Sequence, residues 1–334
     1  MRRISAAILV SLTLLVAIAR EGPAESSVEL LNVSYDPTRE LWRDLDAAFV
    51  RQYEHEYPGR HLAIKQSHGG SSSQARAVID GLEADVVTLA MWPHVEAIHK
   101  AGLIADGWEQ RLPNHSVPYV STIVFVVRKG NPKGIHDWPD IVKPGVQIIT
   151  PNPKTSGNGK LSFLAAWGSV MQRGGSEQEA LNLVTQVYKH TPVLDSGARG
   201  AAATFVHKKI GDVHLAWENE AYLEIAEAGS ELQLVYPPIS ILAEPPVAVV
   251  DANVGRRDTR AVAEAYLKFL YTNQAQEIIA KHFYRPIAPE VLKRHAGTFP
   301  DLRLLPITAV AQSWDDAQQR FFAEDKIFDR IYTK

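Results

Sequence analysis

The sequence predicts an α/β protein built from two domains. Strand and helix patterns alternate from Val28 to about Phe283. A chain of 334 residues suits two cores better than one. A block of strands and helices is bracketed by two apolar strands, over 121–127 and 247–250, as an inserted second domain would be.

The elements follow in order. Arg2 and Arg3 precede an apolar run over 4–19 that ends in Ala17-Ile18-Ala19, the pattern of a cleaved export signal. Cleavage is expected after residue 19, with 24 as the alternative. The run falls short of the roughly 20 residues that span a bilayer, and no cysteine follows to take a lipid. A short strand over 30–34 leads to Pro37, which opens a helix with Asp36 as its N-cap. Leu41, Leu45, Phe49 and Tyr53 mark that helix's buried face. A strand over 63–66 meets Gly69-Gly70-Ser71-Ser72-Ser73, and then a helix with Ala75, Val78, Ile79 and Leu82 inward. The strand over 85–90 is almost wholly apolar, as a parallel strand covered on both faces should be.

Between the bracketing strands lie a strand over 146–150, a helix over 161–172, a helix over 198–208 and a strand over 213–217. The last long helices, over 259–283 and 309–322, are expected to return to the first domain. The first domain is then 28–120 plus 251–334, the second is 121–250, and both sheets are mainly parallel.

Composition removes several function classes. The formal net charge is −3, which offers nucleic acid no basic surface. The absence of cysteine rules out disulfides, thiolate metal sites and cysteine catalysis. No second long apolar run follows the leader, so a soluble mature chain is expected. His55 and His61 lie six apart around Pro58-Gly59, without metal-ligand spacing.

Four loops share one chemistry. Asn152-Pro153-Lys154-Thr155-Ser156-Gly157-Asn158-Gly159-Lys160 joins a strand to a helix through small residues. The first N–H groups of such a helix are bare and carry the positive end of its dipole, which suits an anion. Asp36-Pro37-Thr38, Ser67-His68-Gly69-Gly70-Ser71 and Asp195-Ser196-Gly197-Ala198-Arg199-Gly200 sit at similar junctions. In open α/β sheets ligands lie where strand ends meet helix starts, so a small anion in a cleft is expected. Each loop alone reads more readily as a helix cap with no ligand.

These residues resemble the periplasmic sulfate/thiosulfate-binding protein family, the substrate-binding components of sulfate ABC importers. The likeness runs through Leu30 to Glu40, Gln66 to Ser71, Asn152 to Gly157, Leu194 to Gly200, Ala216 to Glu220, Ile241 to Pro245 and Phe283 to Pro286. It implies a type II periplasmic-binding fold that closes on one dehydrated sulfate or thiosulfate and delivers it, as a monomer, to membrane permease subunits. It implies no cofactor, metal or catalysis. The implied contacts are the Asp36 N–H, the Ser71 hydroxyl, Ser156, the Gly157, Asn158 and Ala198 N–H groups, and the Trp217 indole. Asn158-Gly159-Lys160 departs from the Gly-Ala-Arg usual in the family. A lysine keeps the charge but loses the planar fork of arginine, so any salt bridge from that position is in question.

Two other readings stand beside this one. Molybdate or another tetrahedral oxyanion would suit the same loops. An exported serine hydrolase could use Ser71 or Ser156 with His68, although no Gly-x-Ser-x-Gly elbow is present. A P-loop fails on spacing, because Leu161 follows Gly159-Lys160 and Lys154 takes the place of the first glycine.

Overall fold

A computed structural model describes residues 26–332. The expected export signal lies outside the described residues. Two four-stranded sheets organise the chain. In the first, Ser26–Tyr35 pairs in parallel with Arg60–Gly69 and with Val86–Thr88, and Val247–Val249 closes the edge antiparallel to Val86–Thr88. In the second, Ile123–Arg128 runs antiparallel to both Val213–Trp217 and Leu232–Val235, and Ile148–Ile149 lies parallel to Val213–Trp217.

The second sheet is therefore mixed, not mainly parallel. The chain enters that lobe along Ile123–Arg128, so this strand runs opposite to Val213–Trp217, which returns toward the entry point. Ser121 and Ala243 pair at the crossing between lobes, exchanging N–H···O bonds of 2.9 Å in both directions.

Each sheet is covered on both faces because its strands alternate two apolar sets. Leu30 packs with Trp42, Leu45 and Phe49 on one side, while Val33 packs with Val78, Val87 and Ile98 on the other. In the second lobe, Phe125 and Val127 face Phe163 and Trp167, whereas Val124 and Val126 face Ala201 and Phe205. The helix Gly157–Met171 is buried over most of its circumference, consistent with its nearly unbroken apolar composition.

The C-terminal region departs from expectation. The helix expected over 259–283 is two helices, Arg260–Phe269 and Asn273–Lys281, with the Thr272 hydroxyl capping the second. The stretch 309–322 is not one helix but short turns: Ile307–Ala309, Trp314–Ala317 and a π-turn, Gln318–Phe322. It touches the first lobe through the Lys100–Asp315 ion pair at 3.0 Å, but its core lies in the second. Arg303–Leu305 pairs in parallel with Ile239–Ile241, and Leu305, Phe321, Phe322 and Phe328 enter the same core as Phe163 and Trp167. Those aromatic rings supply the apolar surface that draws this segment to the second lobe. Among the described residues no helix is long and apolar enough to cross a membrane.

Candidate functional site

The sheets aim strand ends at one cleft. Asp36, Ser71, Ser156, Gly157, Asn158, Ala198 and Trp217 all line a single small cavity, with Tyr35, Gly70 and Ala90 among its other walls. Roomier grooves beside Leu112 and Val247, and beside Phe49 and Ala261, lack this convergence of helix starts.

Three helices begin at the cavity: Ser71–Ile79, Gly157–Met171 and Ala198–Val206. Their first closing bonds are Gln74 N to Gly70 O (2.9 Å), Lys160 N to Ser156 O (3.1 Å) and Ala201 N to Gly197 O (3.1 Å). The N–H groups of Ser71, Gly157, Asn158 and Ala198 precede those bonds and have no partner within their helices. The helix predicted over 161–172 thus starts four residues earlier, inside the anion loop. Ser156 is its N-cap, and its oxygen accepts from Gly159 N at 3.5 Å.

Asp36 does not cap its helix. Pro37 folds Asp36–Thr38 into a 3₁₀ turn with Tyr35 at the cap position, and Asp36 Oδ1 accepts from Arg39 at 2.8 Å. The turn is held from behind. Pro37 O accepts from Tyr284 Oη at 2.9 Å and from Asn219 Nδ2 at 3.3 Å.

The Ser71 hydroxyl is already engaged by its neighbours. It accepts from Ala90 N–H at 3.0 Å and shares a 2.7 Å hydrogen bond with His94 Nδ1. Burial, reinforced by Lys160, holds the His94 pKa well below its usual range, so the ring is neutral. His94 Nε2 is buried without a partner among the described residues, so no carboxylate completes a nucleophile–base–acid arrangement here.

Asn158 ties two cavity walls together. With its amide oriented to satisfy its neighbours, Nδ2 donates to Ser162 Oγ and Leu215 O (both 3.1 Å), and Oδ1 accepts from Trp217 N–H at 3.2 Å. Trp217 is 1 % exposed, and its ring centroid lies 5.7 Å from that of Tyr35. The family-departing residues thus have local reasons. Asn158 braces the Trp217 strand, and Gly159 is pressed against Pro151 O too closely to carry a Cβ. Lys160 Nζ donates to Gln318 Oε1 at 2.9 Å, a neutral partner.

The lobes meet at close quarters. A Cβ on Gly157 would fall 2.9 Å from Ala90 Cβ, and one on Gly70 would fall 3.0 Å from Thr155 O, so glycine permits both approaches. Ser72 Oγ donates to Thr155 O at 3.0 Å, and Arg199 reaches Glu40 at 2.6 Å. Burial lifts the Glu220 pKa to about 7 even though Arg199 lies beside it. Behind Trp217, Glu218 takes both arms of Arg285 at 2.7 and 2.8 Å. Sequence reasoning had no signal for His94 or Gln318. It passed over Asn219, Tyr284 and Arg285 as supporting positions inside recognised motifs.

Residues 31–285 match a family model described as bacterial extracellular solute-binding protein. The chain is 52% identical to the sulfate-binding protein of Salmonella typhimurium, over 91% of this chain and 93% of that one. It is 45% identical to the thiosulfate-binding protein of Pseudomonas aeruginosa, over 97% and 98%. Its fold superposes on the sulfate-binding protein SubI of Mycobacterium tuberculosis with a TM-score of 0.79 at 31% identity, covering 88% of this chain and 99% of that one. The architecture is the two-lobed type II periplasmic-binding fold, and the chain belongs to the bacterial extracellular solute-binding protein family.

Proposed function

We propose that this protein binds sulfate or thiosulfate in the periplasm and delivers it, as a monomer, to the permease of an ABC importer. The observation that carries this reading is the convergence of three helix N-termini on a cavity whose one carboxylate, Asp36, is tied to Arg39. Such a site is dominated by donors. Sulfate near neutral pH is a dianion without a proton, so it requires donors alone.

In this reading the anion takes the N–H groups of Asp36, Ser71, Gly157, Asn158 and Ala198, the Ser156 hydroxyl and the Trp217 indole. At Ser71 the backbone serves, because the hydroxyl is already shared between Ala90 and His94. A hydrogen bond to a charged group contributes about 1.5–3 kcal/mol net. Seven such bonds sum to roughly 10–20 kcal/mol before ordering and closure are subtracted, a range that leaves room for the roughly 8 kcal/mol of micromolar affinity. The protein binds and releases without chemical change. The hinge runs through the strands near 121–127 and 247–250, and the leader directs export and is removed.

A thermal-shift panel of oxyanions tests this reading. Sulfate and thiosulfate are expected to raise the melting temperature, because a ligand that binds only the folded state stabilises it. A panel in which molybdate stabilises and sulfate does not would reassign the ligand.

A further inference from the structure

Behind the cavity, the second lobe rests on three consecutive residues of the first. Phe283 lies flat on Tyr222, with ring centroids 4.3 Å apart and planes 12° apart. Tyr284 donates to Pro37 O, which also accepts from Asn219 of the second lobe. Arg285 donates from Nε and Nη2 to the two oxygens of Glu218, at 2.7 and 2.8 Å. Its Nη1 donates to Pro300 O at 3.0 Å, and the Phe299 ring centroid lies 5.5 Å from the guanidinium. Arg285 belongs to the first lobe: Arg285–Pro286 pairs antiparallel with Tyr119–Val120, and Tyr119 and Tyr284 share a core with Leu30 and Phe49.

Glu218 is fully buried and Arg285 is 8% exposed. Charges taken this far from water cost more to desolvate than a loose pairing returns. A bidentate pair does something a loose one cannot, because two parallel bonds fix an angle as well as a distance. What that angle governs is next in the chain. Glu218 opens the helix Glu218–Ala228, and Trp217 is its N-cap, with a side chain that caps nothing. This strand-to-helix turn is therefore held by its neighbours. Asn158 takes the Trp217 N–H on one side, Thr122 O accepts from Glu218 N–H at 3.0 Å on the other, and Arg285 holds the Glu218 carboxylate.

We propose that Arg285 is a positioning residue for the anion site, keeping the Trp217 indole on its aim through Glu218. The inference rests on the anion-binding reading above and on Trp217 as one of its donors. Arg285 itself does not line the cavity. A hydrogen bond weakens steeply as its donor swings out of line, so a turn that rocks degrades the indole donor. The backbone donors at the three helix starts lie on other segments and keep their geometry. Tyr35 touches the indole only through its ring, a contact without the directionality of a hydrogen bond.

A double-mutant cycle tests this, by calorimetric titration of the full mature protein with sulfate and circular dichroism on each variant. It uses wild type, Arg285→Lys, Trp217→Phe and the two substitutions combined. Lysine keeps the charge and loses the fork. Arg285→Lys is expected to weaken sulfate binding about tenfold with Trp217 present and less than about twofold in the Trp217→Phe background, a coupling of the size seen between residues of one network. Glu218→Gln keeps the shape and one acceptor but removes the charge. It is expected to show the same dependence on Trp217, and it stands in if Arg285→Lys fails to fold. Equal losses in the two backgrounds, or no loss in either, overturn the positioning role and leave the pair as scaffolding. A Trp217→Phe variant that binds as wild type does also overturns it, by taking the indole out of the donor set. A wild type that binds no sulfate overturns the anion-binding reading itself.

Discussion

The two lobes meet the cavity with different chemistry. The first brings backbone: its side chains at the cavity are already engaged, Asp36 by Arg39 and Ser71 by Ala90 and His94. The second brings backbone and side chains together, with two helix starts, the Ser156 hydroxyl and Trp217, braced to one another through Asn158. The difference assigns the lobes unequal tasks. On the sulfate-binding proposal the second lobe is the capture surface, and the first is the lid that completes the donor shell.

The largest effect is expected from removing one backbone donor of the capture surface without disturbing the fold. Ala198 is the first residue of its helix, and Gly197 before it is extended (φ −156°, ψ 170°), the conformation a following proline requires. Ala198→Pro is expected to fold and to weaken sulfate binding by about 3 kcal/mol, read by calorimetry alongside circular dichroism. Next comes Trp217→Phe, which keeps the aromatic contact with Tyr35 but removes the indole N–H. The expected loss is about 2 kcal/mol, and unchanged affinity would take Trp217 out of the donor set.

Lys160→Met is expected to act on stability. A lysine whose folded pKa is depressed to about 8 is destabilising while charged, below that value, and the penalty fades as pH rises toward the unfolded value near 10.5. The variant should therefore gain about 1 kcal/mol in anion-free stability at pH 7, with the gain vanishing above pH 10 in denaturant titrations. The smallest effect on affinity belongs to the lid. Ser71→Ala is expected to weaken sulfate by no more than about 0.5 kcal/mol, against about 2 kcal/mol for Ser156→Ala. Equal losses would erase the contrast between the lobes.

Much of this architecture is legible in the sequence, because it is local. The small residues of Ser156-Gly157-Asn158 and Gly197-Ala198 announce bare helix starts, and apolar alternation announces the strands. What the sequence hides depends on residues far apart in the chain. The commitment of the Ser71 hydroxyl is set by His94 on another helix. The role expected for Asp36 fails because Pro37 inserts a 3₁₀ turn and Arg39 takes the carboxylate. The C-terminal segment reads as helix over 309–322, yet its phenylalanines find Phe163 and Trp167 and break into turns to reach them. The mixed order of the second sheet is likewise invisible, because strand direction follows from where the chain crosses between lobes.

The central claim is a cavity dominated by donors, with the Asp36 carboxylate held by Arg39, and anion discrimination tests it most directly. Calorimetric titration of the anion-free protein at pH 8 should give sulfate affinity of about micromolar or tighter, and hydrogen phosphate binding weaker by at least the roughly 1–3 kcal/mol of an unpaired buried proton. Comparable affinities for the two anions would contradict it, because some group in the cavity would then be accepting the phosphate proton.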